Sequence, residues 1–134
     1  MNVEEFLKNK NLINYDCYLL EGEVLTVLKY TRVFQFQVSD GELINVQTLE
    51  VEDCPFGLYS VLGGYIVHGE LEIAMYDKQF RLKWRFSGRD IFASSTDKQV
   101  FRMLEDRICL FDFYDNYYEI DYNGKLLLDR PINS

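Results

Sequence analysis

The stretch from Gly64 to Phe86, GYIVHGELEIAMYDKQFRLKWRF, constrains the fold more than any other part of the chain. It reads as three short strands. Tyr65 to His68 is apolar, Leu71 to Tyr76 alternates, and Phe80, Leu82, Trp84 and Phe86 fall at period two, the period at which strand side chains share a face. Gly69-Glu70 and Asp77-Lys78-Gln79 supply the turns. The pattern recurs downstream. Ile108 to Phe113 is an apolar strand, a polar tip follows, and Tyr117 to Asp121 turns at Tyr122-Asn123 into Gly124 to Asp129, so that Asp77 answers to Asp121 and Trp84 to Leu128. Upstream, Val24 to Tyr30, Val33 to Val38 and Glu42 to Thr48 repeat it around a turn at Ser39-Asp40-Gly41. Recurrence of a unit this size predicts an array of antiparallel sheets.

The remaining segments extend that array. Tyr15 to Leu20 supplies a first strand, and Glu52 to Gly57 breaks the pattern, because Pro55 lacks an amide donor and Gly57 permits a sharp turn. Ser87 to Asp90 links the middle unit to Ile91–Ser94, read as the first strand of the last unit, with Val100 to Leu104 as another. The count is about twelve strands, four to a unit. We therefore expect a single all-β domain over residues 1–134, with units at about 15–51, 57–86 and 90–131, forming a partial or small propeller or a wrapped sheet. Asn2, with Glu5 three residues on, caps one short N-terminal helix that is too short to stand alone and must dock on a sheet.

The unit resembles the blade of pyrroloquinoline-quinone-type β-propellers. The matching residues are Asp121, Asn123, Gly124, Lys125, Leu126 and Leu127 in the last copy, and Ile73, Asp77, Arg81, Leu82 and Trp84 in the middle one, where Phe80 replaces the glycine. The first copy keeps Asp40, Gly41 and Leu43. The resemblance implies architecture. Quinone enzymes of that family close about eight blades around their cofactor, and three units do not, so no cofactor is carried over.

Composition fits a packed sheet protein: 48% of the residues are hydrophobic and 16% aromatic, which excludes disorder. A formal net charge of −8 argues against nucleic acid and anionic membranes and favours a basic protein partner. Cys17, Cys54 and Cys109 show no metal-binding spacing and read as reduced thiols, while Glu4, Glu5, Lys8 and Lys10 interrupt any leader-like apolar run, so a cytoplasmic protein is expected.

Chemistry-bearing residues are few. His68, the single histidine, ends an apolar strand with no nucleophile motif beside it and reads as structural. Arg89 and Asp90 suit an ion pair clamping neighbouring units, and Trp84 suits an inward core position. The hairpin from Asp112 to Asp121 crowds four carboxylates without a calcium-loop spacing, so neither a metal nor a catalytic pair is expected there. Its acids are interleaved with tyrosines, a composition suited to holding a cationic protein. Asp112, Tyr114, Asp115, Tyr117, Tyr118 and Glu119 are the expected partner-binding residues.

The resulting expectation is a non-enzymatic acidic binding module, a monomer or weak homodimer. In size and charge the chain resembles bacterial immunity proteins, which implies inhibition of a basic toxin such as a nuclease. The alternative is a scaffolding repeat protein that assembles with other copies.

Overall fold

The computed structural model describes residues 2–12 and 17–133. The expected start of the first strand at Tyr15 lies outside the described residues. Helix α1 (Val3–Asn9) is capped by Asn2, whose side-chain oxygen accepts the Glu5 N–H at 3.2 Å. Twelve strands follow in three four-stranded antiparallel sheets. The first holds β1 (Cys17–Glu21), β2 (Val24–Lys29), β3 (Arg32–Gln37) and β4 (Glu42–Thr48); the second β5 (Pro55–Val61), β6 (Gly64–Gly69), β7 (Glu72–Tyr76) and β8 (Leu82–Ser87). The third holds β9 (Phe101–Met103), β10 (Arg107–Phe111), β11 (Tyr117–Asp121) and β12 (Leu126–Arg130). Within each sheet the spatial order is the chain order, so every pairing is a hairpin between sequence neighbours.

One turn is used three times. Asp77, Asp112 and Asp121 each accept, through a side-chain oxygen, the N–H groups two and four residues on, and each opens a turn whose fourth residue is left-handed. Those fourth residues are Phe80 (φ 60°), Asp115 (φ 67°) and Gly124 (φ 83°). The short carboxylate mimics a backbone acceptor and fixes the loop. Phe80 therefore sits in the turn, and β8 begins at Leu82 rather than at Phe80 as expected. Its left-handed backbone is compensated by burial and by stacking on Tyr65, with ring centroids 4.5 Å apart. In the first sheet Asp40 does not occupy this place; it directly precedes the left-handed Gly41 and holds the Glu42 N–H.

Two cores lie between the sheets. Leu28, Val33, Leu58, Val67, Ala74 and Tyr76 fill the space between the first and second; Ile66, Ile73, Met75, Ile108, Leu110, Tyr118 and Ile120 fill that between the second and third. A third cluster seats Leu7 and Leu12 on Leu25, Val27 and Phe36, so α1 covers the face of the first sheet turned away from the second. The chain leaving each sheet is tied back to that sheet's middle turn. Leu49 N–H donates to Thr31 O (2.7 Å), Phe92 N–H to Glu70 O (2.7 Å), and Ile132 N–H to the Asn116 side-chain oxygen (3.0 Å). Leu49 and Phe92 are buried, whereas Ile132 is exposed.

Two expectations are corrected. Ile91–Ser94 is not a strand: Phe92 inserts singly into the second core, and Ser94 and Thr96 hydroxyls hold the following backbone N–H groups in a polar loop. The last unit therefore starts at β9. Pro55 begins β5 and Gly57 lies within that strand at a bulge, because a first-position proline faces no ladder acceptor.

Candidate protein-binding surfaces

The Asp112–Asp121 hairpin is built largely for internal contacts. Asp112 is 1% exposed and accepts hydrogen bonds from Tyr114 N, Asn116 N, Asn116 Nδ2 and the Tyr118 hydroxyl. Tyr118 is 2% exposed, and burial raises its pKa. Neither can face a partner. The alternation that puts Tyr118 on the inward face also puts Tyr117 and Glu119 on the outward one. There the Tyr117 hydroxyl donates to Glu119 Oε2 (2.6 Å) and Arg107 donates to Glu119 Oε1 (2.7 Å), so the Glu119 carboxyl is held below its usual range by Tyr117 first and Arg107 second. Asp115 is exposed but pairs with Lys98 at 2.7 Å. Tyr114 is exposed on the turn and is the one expected anchor that stands free in solvent.

The connections between sheets are similarly occupied. Arg89 pairs with both carboxylate oxygens of Asp129 (2.7 and 2.8 Å) and donates to the Tyr118 hydroxyl, joining the link after β8 to β12. The expected clamp exists, but its acid is Asp129; Asp90 instead accepts its neighbour Ile91's N–H. His68 is buried, stacked on Phe101 at 4.8 Å, and donates Nε2–H to the Phe92 carbonyl. Trp84 is half-buried and donates to the Tyr122 carbonyl at 3.0 Å. Among the described residues, no group of three or more His, Cys, Asp or Glu is gathered as a metal would need, and no helix is long and apolar enough to cross a membrane.

A second acidic surface escaped the sequence reading. Every ion pair among the described residues lies in the second and third sheets or their connections. The acids of the first sheet form no ion pair, although Glu21 accepts the Ser60 and Tyr65 hydroxyls. Its edge strand β4 exposes Leu43, Ile44 and Val46, at 48%, 53% and 40%. Asp40 and Glu42 lie at one end of that strand; Glu50 and Glu52 follow the other, exposed because Leu49, Val51 and Asp53 alternate inward. Asp53 is fixed by the N–H groups of Cys54, Leu71 and Glu72. The available signal was the absence of any Lys or Arg from Val33 to Asp77.

Solved structures share this arrangement of sheets. BamB from Moraxella catarrhalis aligns with a TM-score of 0.54 and 12% identity over 84% of this chain; the Neurospora crassa Pan2 WD40 domain gives 0.59 and 11% over 85%. A europium-containing methanol dehydrogenase gives 0.60 and 13% over 84%. All three are propeller proteins. The sheets are propeller-like blades. This chain spans 33%, 38% and 23% of those three chains, respectively. The sequence matches no protein-family model and no curated protein sequence.

In blade terms, β1, β5 and β9 open their sheets, and β4, β8 and β12 are the opposite edges. Helix α1 occupies the outer face of the first blade. The outer face of the third carries the charged network of Arg107, Glu119 and Tyr117, with Lys98 over the Phe111 ring at 3.7 Å.

Proposed function

We propose that this chain is a non-enzymatic, acidic protein-binding module whose edge strand β4 receives an extended segment of a basic partner. The observation that carries the reading is the β4 edge itself. Its outward backbone is unpaired, three apolar side chains stand exposed on it, and Asp40, Glu42, Glu50 and Glu52 flank it without forming an ion pair, the Lys10 amine lying beside Gly41 at one end. Native sheets ordinarily blunt such an edge with lysine, proline or a covering element. Strand addition would satisfy the backbone groups, and the flanking acids would select Lys- and Arg-rich segments and speed their encounter. The corresponding edge of the third sheet, β12, also exposes leucines, but Lys125 and Arg130 stand beside them, which suits a basic partner less well.

Within that reading the partner class is a basic toxin, such as a nuclease, and the chain its cytoplasmic, immunity-type inhibitor. A nuclease needs positive charge to hold its substrate, and an acidic strand acceptor competes for that charge. Supporting this is the net charge of −8. The scaffolding alternative, assembly with other copies, would have to use the outer face of the third sheet, because α1 fills that of the first.

The deciding experiment is affinity capture on the immobilised chain, run beside the Glu42→Gln/Glu50→Gln/Glu52→Gln variant. A basic protein retained by the wild type and lost by the variant, with its activity suppressed on binding, is the expected result. Equal retention by both proteins overturns the assignment to β4. Activity unchanged by a bound partner overturns the inhibitor role.

A further inference from the structure

We propose that the outer face of the third sheet holds a separate binding site for a small organic anion with a planar apolar body. A cavity of ≈ 390 Å³ opens there, lined by Gln99, Arg102, Cys109, Phe111, Tyr117 and Arg130. The pairing of β9 with β10 sets Arg102 opposite Cys109, and that of β11 with β12 sets Tyr117 opposite Arg130, so these side chains share one face. Phe111 and Tyr117 meet with ring centroids 4.8 Å apart, and the Arg130 guanidinium lies 5.0 Å from the Tyr117 ring.

Charge decides what the cavity takes. In the second and third sheets and their connections, Arg81, Arg85, Arg89 and Arg107 each hold a carboxylate. Among the described residues, Arg102 and Arg130 have none within ion-pair reach. In a chain with 22 acids and 14 cations, two unpaired guanidiniums lining one cavity are what a bound carboxylate, phosphate or sulfonate would neutralise in forked hydrogen bonds. The Gln99 amide adds a neutral donor, and the two rings supply apolar wall for a single-ring body. Nearby Lys98 and Arg107 are already held by Asp115, Asp106 and Glu119; Glu119 also acts on Arg130 electrostatically but forms no ion pair with it, so Arg102 and Arg130 are the guanidiniums left to pair with an anion. This site lies on the third sheet, remote in the chain from β4 of the first, and stands or falls independently of the partner proposed there.

Titration of the full chain with phenyl phosphate, followed by amide NMR, tests the site, with inorganic phosphate and phenol as the two half-probes. Saturable shifts are expected at Arg102, Cys109, Phe111 and Tyr117, with both half-probes binding more weakly than phenyl phosphate. The Arg102→Gln/Arg130→Gln variant should lose affinity by about ten-fold or more, whereas Arg81→Gln/Arg85→Gln, which removes equal charge elsewhere, should stay within about two-fold. If the double variant does not fold, Arg102→Gln alone carries the comparison, since that side chain is exposed on a short strand. The proposal is overturned by shifts that map elsewhere or do not saturate, by equal losses in the two charge-matched variants, or by phenol binding as tightly as phenyl phosphate.

Discussion

Gly124 lies against the indole of Trp84: a Cβ at Gly124 would sit 2.6 Å from Trp84 Cγ and 2.8 Å from Cδ2. This contact, with the Trp84 hydrogen bond to Tyr122, locks the last turn of the third sheet onto the edge strand of the second. Gly124→Ala adds a methyl where there is no room and places alanine at φ 83°. It should destabilise by about 2–4 kcal/mol in urea unfolding. Trp84 is half-buried, so Trp84→Ala should cost about 2–3 kcal/mol, below the range for a fully buried ring. In the double variant the clash is gone, and the two losses should sum to less than their separate values.

Asp112 and Asp115 should respond oppositely to the same chemistry. Asp112→Asn keeps the volume but replaces an acceptor of backbone, amide and hydroxyl donors in a buried site, and a loss of about 2–3 kcal/mol is expected. Asp115→Asn removes only a partly exposed pair with Lys98 and suits a left-handed turn position, so the change should stay within about 0.5 kcal/mol. Chemical denaturation of the two variants checks this directly.

His68 makes stability depend on pH. Burial lowers its pKa, partly offset by the Phe92 carbonyl and by Asp53. The unfolded chain therefore takes up a proton near pH 6.5 while the folded one resists. This contribution is intact above that value, falls as pH drops through it towards the lower folded value, and then levels off. Denaturation midpoints should decline between pH 7.5 and 5.5 in the wild type. They should change less in His68→Gln, whose amide retains a donor for Phe92 but does not titrate.

The self-contained arrangement of α1 predicts a monomer. Light scattering should give a mass near 15.9 kDa at micromolar concentration. Removing residues 2–12 uncovers Leu25, Val27 and Phe36, and should raise the measured mass through association of the bared faces. A truncated chain that remains at the monomer mass would show that the face tolerates solvent.

Strand identity and sheet order were legible because period-two alternation and Asp-led turns act locally: Asp77 and Asp121 align in sequence and form the same turn. What depended on non-local burial was not legible. Asp112 obeys the same turn chemistry, but its seclusion arises from Asn116 and Tyr118 closing over it, and no spacing encodes that. Phe92 looked like strand because its neighbours are apolar, whereas a single buried ring suffices to fill the second core. The outward acids of the first sheet could have been read from the long cation-free stretch, yet their lack of ion-pair partners becomes visible only once the ion pairs of the other two sheets are placed in space.

The second sheet is covered on both faces, and β6 is buried along its whole length. The outer sheets each rest on it and share no core with one another. Cooperativity therefore runs through the centre: opening the first or third sheet leaves the other's support intact, whereas opening the second removes support from both. Hydrogen exchange should rank the amides accordingly, with those of Ile66, Val67 and Ala74 slowest and those of β12 fastest among the strands. A chain whose pairings are all between sequence neighbours would then still unfold from its edges inward.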